Sequence, residues 1–385
     1  MKIKFRIGRI DVPLLIIVIA LVLFGLVMVF SASYYSTITQ NLSPYYYLQR
    51  AAIWAAVGII VMVIVSFLPT ALYKRAAVWI MAFSLLMLLA LFTPLGVTVN
   101  GATRWIGVGG EGGLTFMPGE FTKLAVIIFL AWYYTKYSKG VKTLRVGVAP
   151  VLVLMLVLFF LIYKEPNLST AGIVVITIFV IMFLAGVRIG YLIALIAIGA
   201  IGLYFLIQTG EGEHLARVTG FLDPFSDAQG DFYQTVQGLL ALGSGGLTGV
   251  GLGNSVEKAL WLPEAQNDFI FAIVGEETGF IGCILLMLGF LVLIWRCMLI
   301  SMRARTRFDM LIGAGVTALM AVQVVLNIGV VTSLLPPTGV ILPFISYGGN
   351  AVVLFMFLMG IMLSISRKDP ALAPEERLRP WEEAS

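Results

Sequence analysis

Long apolar runs separated by short polar intervals make up almost the whole chain. Ten such runs stand out, at 12–32, 50–68, 77–95, 117–134, 147–163, 168–185, 188–207, 268–295, 310–333 and 341–365. Apolar stretches of this length read as membrane helices. Hydrocarbon offers no partner for a free backbone N–H or C=O, so each run must be regular helix. The first run follows the basic "MKIKFRIGR" and ends at the small-residue triplet "SAS", which imitates a signal peptide. It is longer than a normal signal core and further spans follow, so it reads as an uncleaved first helix. The expected fold is therefore an all-α polytopic membrane protein of ten transmembrane helices, with residues 1–368 as one membrane domain and 369–385 as a disordered tail.

The polar intervals are 33–49, 96–116, 164–167, 208–267 and 334–340 on one side, with shorter ones on the other. The interval 208–267 spans 60 residues, far beyond a usual connection, and so is either functional or partly structured. Within it "QGLLALGSGGLTGVGLGNS" (237–255) is apolar but too broken by glycine to span, and reads as an interfacial or re-entrant segment.

Composition agrees: the chain is 60% hydrophobic and 12% charged, with a mean hydropathy of +1.01. A soluble domain carries roughly 25% charged residues, so a water-soluble enzyme is excluded. Lys and Arg set orientation. Nineteen lie on one set of intervals and five on the other (Arg50, Arg104, Lys164, Arg217 and Lys258), with Lys123 inside a run. This bias puts both termini in the cytoplasm and the 208–267 loop outside. It also assigns the formal charge of +5 to membrane orientation rather than nucleic acid. Cys283 and Cys297, fourteen residues apart on one helix, would be about 21 Å apart, too far for a disulfide. A single histidine, His214, rules out histidine triads and multi-histidine metal sites within this chain.

Four stretches carry candidate chemistry. "WLPEAQNDFIFAIVGEETG" (261–279) holds Glu264, Asp268, Glu276 and Glu277. Asn267 or Asp268 is a natural N-cap for the run that follows, and on physical grounds alone that reading of Asp268 leads. Burial would raise its pKa and the helix dipole would lower it; the sequence leaves the balance open. "TFMPGEFTKL" places Glu120 and Lys123 three residues apart on one helix face, as a structural ion pair or as the lining of a cavity. Arg104 in "NGATRWIGVGG" is either an interfacial anchor beside Trp105 or a bidentate phosphate ligand. The glycines of 243–253 match no phosphate-loop pattern and read as close-packing or hinge positions.

Taken together, "NGATRWI", "FMPGEFTKL", "EPNLSTA", "LGSGGLTGVGLGNS", "LPEAQNDFIFAIVGEETG" and "PFISYGG" resemble the SEDS family of bacterial wall-synthesis proteins over roughly residues 10–368. "GLGNS" and "QNDFIFAI" look more like its division branch than its elongation branch, with a sporulation branch as the closest rival. The resemblance implies an inverting peptidoglycan glycosyltransferase that polymerises lipid II in the bacterial cytoplasmic membrane and releases undecaprenyl diphosphate. It makes Asp268 the catalytic base. Arg104 is the first candidate for the diphosphate and Lys123 the second, with Glu120 orienting Lys123. It implies a class B penicillin-binding transpeptidase and other divisome membrane proteins as partners. It fixes no cofactor and leaves a divalent cation open. Gly119, Asn167 and Asn350 depart from the common family pattern, and the asparagine at 167 argues against an acid/base role there. The rival readings are a transporter of lipid-linked precursor and a non-catalytic recruiter of the transpeptidase.

Overall fold

The computed structural model describes residues 10–99, 102–108, 114–209, 221, 223–230, 232–259 and 261–367. His214, Arg217 and the 369–385 tail lie outside these residues. In chain order the elements are α1 (Val12–Thr39), α2 (Tyr46–Phe67), α3 (Thr70–Ala90), β1 (Gly96–Val99), β2 (Ala102–Val108), β3 (Leu114–Phe116), α4 (Pro118–Lys136), α5 (Ala149–Tyr163), α6 (Leu168–Leu184), α7 (Ile189–Thr209), α8 (Tyr233–Ser244), α9 (Ile270–Met302), α10 (Arg307–Val331) and α11 (Gly349–Ser366). Each of the ten apolar runs overlaps a helix. Among the described residues, seven helical stretches are long and apolar enough to cross a membrane: α1, α2, α3, Leu144–Tyr163 including α5, α9, α10 and α11. α6 and the Ile189–Ile201 part of α7 are shorter apolar helices, and α4 carries Glu120 and Lys123 in its first turns.

Local signals explain the helix starts. Asp11 caps α1 by accepting from the Leu14 N–H at 3.0 Å, Thr306 caps α10 through Asp309 N–H at 3.1 Å, and Asn167 caps α6 through Thr170 N–H at 3.3 Å. Such caps satisfy backbone donors that the first turn leaves free. The last apolar run becomes helical only at Gly349, not at 341. Pro343 lacks a backbone donor and Phe344 holds φ at 66°, so "ILPFISYG" is a bent approach to α11.

α10 and α11 form the centre: 67% and 72% of their apolar windows are buried, against 28–39% in α1, α2 and α3. α11 packs on α2, and α10 on α4, α6 and α9. The outer helices expose large apolar side chains such as Ile16, Ile53, Trp79 and Leu285, the surface a lipid solvent would cover. At one end of the bundle Arg296 of α9 pairs with Asp11 at 2.5 Å, and the Asp11 N–H reaches Ser366 at 3.1 Å. Ser364 reaches the Leu68 carbonyl at 2.6 Å, between α2 and α3.

Two features go beyond helices. The 96–116 interval, expected to be loop, forms an antiparallel sheet in the order β1-β2-β3, with Gly96 opposite Ile106 and Ile106 opposite Phe116. Its β-branched and aromatic residues suit a pleated surface. The fold is thus mostly helical rather than all-α.

The second feature is the glycine stretch after α8. α9 is broken at Gly279, where φ is 68° and ψ −169°. The freed backbone groups are taken up by the glycine segment. Phe280 and Ile281 N–H donate to the Gly246 and Leu247 carbonyls at 2.9 and 3.1 Å, and Val250 and Gly251 N–H donate to the Glu276 and Glu277 carbonyls at 3.0 Å each. Helix breaks at membrane depth survive when protein re-satisfies them in this way. A Cβ at Gly249 would collide with the Glu277 carbonyl, so the glycines here serve close backbone approach.

Candidate functional site

Asp268 stands in a turn just before α9 and does not cap it. The N-cap position is Phe269, and no side chain caps this helix. The turn is pinned from three sides. Asn327 of α10 donates to the Asp268 carbonyl at 2.8 Å and to the Val340 carbonyl at 2.6 Å. The Tyr347 N–H donates to the Gln266 carbonyl at 2.9 Å, and Gln234 of α8 donates to the Pro263 carbonyl at 3.0 Å. The backbone is therefore held while the carboxyl group faces a cavity. Burial, with the like charge of Glu264, raises the Asp268 carboxyl to about 6, and Arg104 opposes the rise. Desolvation is the largest cause of the rise, and no capping bond to α9 holds the carboxylate ionised. Glu264 is exposed and accepts from Asn267 at 2.8 Å.

Arg104 projects from β2, and its Nη2 donates to the Pro166 carbonyl in the turn between α5 and α6. Desolvation lowers its pKa, while the Asp268 and Glu165 carboxylates raise it. The sheet missed from sequence is what carries this arginine to the mouth of α6.

Lys123 and Glu120 form a direct pair of 2.6 Å, with the lysine side chain 1% exposed. Lys123 also donates to Gln323 of α10 at 3.4 Å, and one Glu120 oxygen is buried without a hydrogen-bond partner. The reading as a structural pair and the reading as cavity lining are both met, because the pair sits in the cavity wall.

All four candidates, Asp268, Arg104, Lys123 and Glu120, line one cavity of about 650 Å³. Its walls come from α2, the sheet, α4, α6, α10 and the approach to α11. Ligand sites of small molecules commonly measure about 300–1,000 Å³. Arg50 also lines it, as does Tyr347; the Arg50 guanidinium lies 4.6 Å from the Tyr46 ring centroid. In the sequence Arg50 counts only toward orientation, and Gln323 and Asn327 belong to none of the candidate stretches. The signal for that amide pair was present, since two polar residues at i, i+4 inside an apolar run are costly unless partnered.

The remaining carboxylates of the 261–279 stretch are fastenings. Glu277 pairs with Lys258 at 2.5 Å and accepts from Ser31 at 2.6 Å. Glu276 accepts from Ser255 at 2.5 Å and from Val256 N–H at 2.7 Å. Together they tie the glycine segment to α9 and α1. Lys258 is thus a buried structural cation. Of the unusual positions, Asn350 donates to the Thr115 carbonyl at 3.1 Å. Gly119 lies where a Cβ would be 3.2 Å from Thr170. Among the described residues no three His, Cys, Asp or Glu side chains cluster to hold a metal ion. A hard cation there would need substrate phosphate oxygens for most of its shell.

Comparisons with known proteins agree across sequence and fold. A family model described as a cell cycle protein, FTSW_RODA_SPOVE, matches residues 12–370. Stage V sporulation protein E of Bacillus subtilis (strain 168) is 37% identical over 358 residues, covering 93% of this chain and 97% of that protein. A probable peptidoglycan glycosyltransferase FtsW of Trichlorobacter lovleyi is 36% identical over 365 residues, covering 94% of each. Among solved structures, a chain from a study titled "Structural coordination of polymerization and crosslinking by a peptidoglycan synthase complex" has a TM-score of 0.78 at 25% identity, covering 93% of this chain and 97% of that one. The rod shape determining protein RodA of Thermus thermophilus has a TM-score of 0.67 at 26% identity, covering 93% and 96%. The sporulation and division relatives are nearly equidistant, so identity does not single out the division branch.

Proposed function

The chain belongs to the FTSW_RODA_SPOVE family of cell cycle proteins, the SEDS family, and from that membership we propose that it is a peptidoglycan glycosyltransferase polymerising lipid II. The observation that carries the reading is the convergence of Asp268, Arg104, Lys123 and Glu120, from three separate segments, on one cavity. The relatives named as probable peptidoglycan glycosyltransferases support it.

In the proposed reaction the 4-hydroxyl of the acceptor sugar attacks the anomeric carbon of the donor. The new C–O bond forms as the bond to the diphosphate breaks from the opposite face, which inverts the centre to a β-1,4 link. Asp268 takes the hydroxyl proton. A general base contributes about 10²–10⁴-fold when within hydrogen-bond reach and poised near the working pH. A carboxyl near 6 is ionised at neutrality and remains a stronger base than a solvated aspartate. Negative charge grows on the departing diphosphate, and fixed cations placed there stabilise it. Arg104 supplies a planar fork for phosphate oxygens; Lys123, oriented by its pair with Glu120, supplies the second cation. Asn327 and the Tyr347 backbone keep the Asp268 turn from shifting.

Both termini are proposed to be cytoplasmic, with the sheet and the Asp268 turn on the outer side, where the headgroup of a lipid-linked sugar stands. A class B penicillin-binding transpeptidase is the proposed partner. A septal site of action is proposed from the motifs, and the sporulation relative keeps a sporulation role beside it. The transporter reading would need charges continuing through the bundle, whereas the cavity's charges gather with the sheet and the Asp268 turn. The test is purified full-length protein with lipid II and a gel of the glycan products. Polymer is expected; precursor left intact while vesicles show lipid II translocation would favour the transporter.

A further inference from the structure

Arg104 lies between two carboxylates, and only one of them belongs to the cavity. Asp268 faces it from the α9 turn. Glu165, in the turn between α5 and α6, faces it from behind; the next residue, Pro166, supplies the carbonyl that Arg104 donates to. Glu165 is 2% exposed, and neither of its carboxyl oxygens has a hydrogen-bond partner. The Arg104 Nε is likewise buried and unpartnered. Buried polar groups are normally satisfied, so an orphan carboxyl and an orphan guanidinium N–H on neighbouring segments of the chain read as two halves of one unmade contact.

Resting on the reading that a diphosphate binds Arg104, we propose that Glu165 is a positioning residue for that guanidinium: neutral, it leaves Arg104 to the substrate's diphosphate; ionised, it draws Arg104 back out of the cavity. The charged groups around it are few. Arg104 faces it from β2. Lys164 on its own turn is directed over the Phe160 ring, 5.6 Å from the centroid. Asp268 competes for the same guanidinium from the far side, and Glu120 and Lys123 on α4 are closed on one another. Burial raises the Glu165 carboxyl to about 8, with Arg104 pulling the other way. The group therefore changes charge just above neutrality. Glu165 lines a second cavity of about 490 Å³ together with Thr93, Thr98, Thr103 and Lys164. A neutral carboxyl behind Arg104 does not compete for the guanidinium; an ionised one is an internal rival to phosphate.

The experiment is direct binding of undecaprenyl diphosphate to the full-length protein in detergent at pH 7 and pH 9. If only the form with neutral Glu165 binds, the apparent Kd rises about tenfold over that interval, the loss of the competent fraction. In Glu165→Gln this rise is absent. The ligand's own titration is common to both proteins and cancels in their ratio. Glu165→Asp restores a rise, and Glu165→Ser replaces the glutamine variant if that one does not purify folded. Equal pH dependence in wild type and Glu165→Gln overturns the inference alone. No binding by wild type at any pH, with Arg104→Ala indistinguishable from it, overturns the diphosphate premise as well.

Discussion

At the scale of single residues, the account rests on the environment of Asp268. The sequence marked the residue but misassigned its local role, because cap preference is a short-range signal. The bonds that hold the turn come from Asn327 and Tyr347, some 60 and 80 residues away. Its raised pKa yields a pH prediction. The base must be ionised, so kcat/KM should fall about tenfold per pH unit below about 6. Glu264 contributes to the rise. Glu264→Gln should therefore lower the Asp268 pKa and move that acid limb to lower pH, as a pH–rate profile would register. Glu165 was unreadable as a candidate: "EPN" in sequence is a turn, and only the sheet brings Arg104 to it.

At the scale of elements, the helices were legible because each carries its own apolar run and starting signal. The sheet was not, although its "NG" dipeptide at 100–101 is a strong hairpin signal; a glycine-rich interval between membrane runs invites a loop reading. The insertion of the glycine segment into the break of α9 was legible only as a re-entrant tendency. Its fastening predicts measurable losses. Lys258→Met leaves Glu277 buried without its cation, which costs about 3–5 kcal/mol in comparable pairs, so the melting temperature in detergent should drop clearly. Adding Glu277→Gln should recover much of the loss. Gly249→Ala must place a side chain at φ 81° against the Glu277 carbonyl; strain of this kind costs about 1–3 kcal/mol. It should lower the melting temperature without moving the pH profile of any protein that remains folded.

At the scale of the whole molecule, periodicity and charge bias lead to the expected orientation, while the cavity depends on how distant runs pack. No pattern within one run announces that α4, α6 and α10 will enclose Lys123 with Gln323. Orientation is testable with a membrane-impermeant maleimide on spheroplasts. The native Cys283 and Cys297 are buried, which keeps background low. Thr93→Cys should label from outside and Lys142→Cys only after permeabilisation; the reverse pattern would invert the proposed topology. The central claim, that the cavity makes glycosidic bonds with Asp268 as base, is tested most directly by glycan synthesis from lipid II by purified wild type and Asp268→Asn, matched for folding and lipid II binding. The account predicts polymer from wild type and a loss of about 10²-fold or more in the variant, and equal strand production by the two proteins would contradict it.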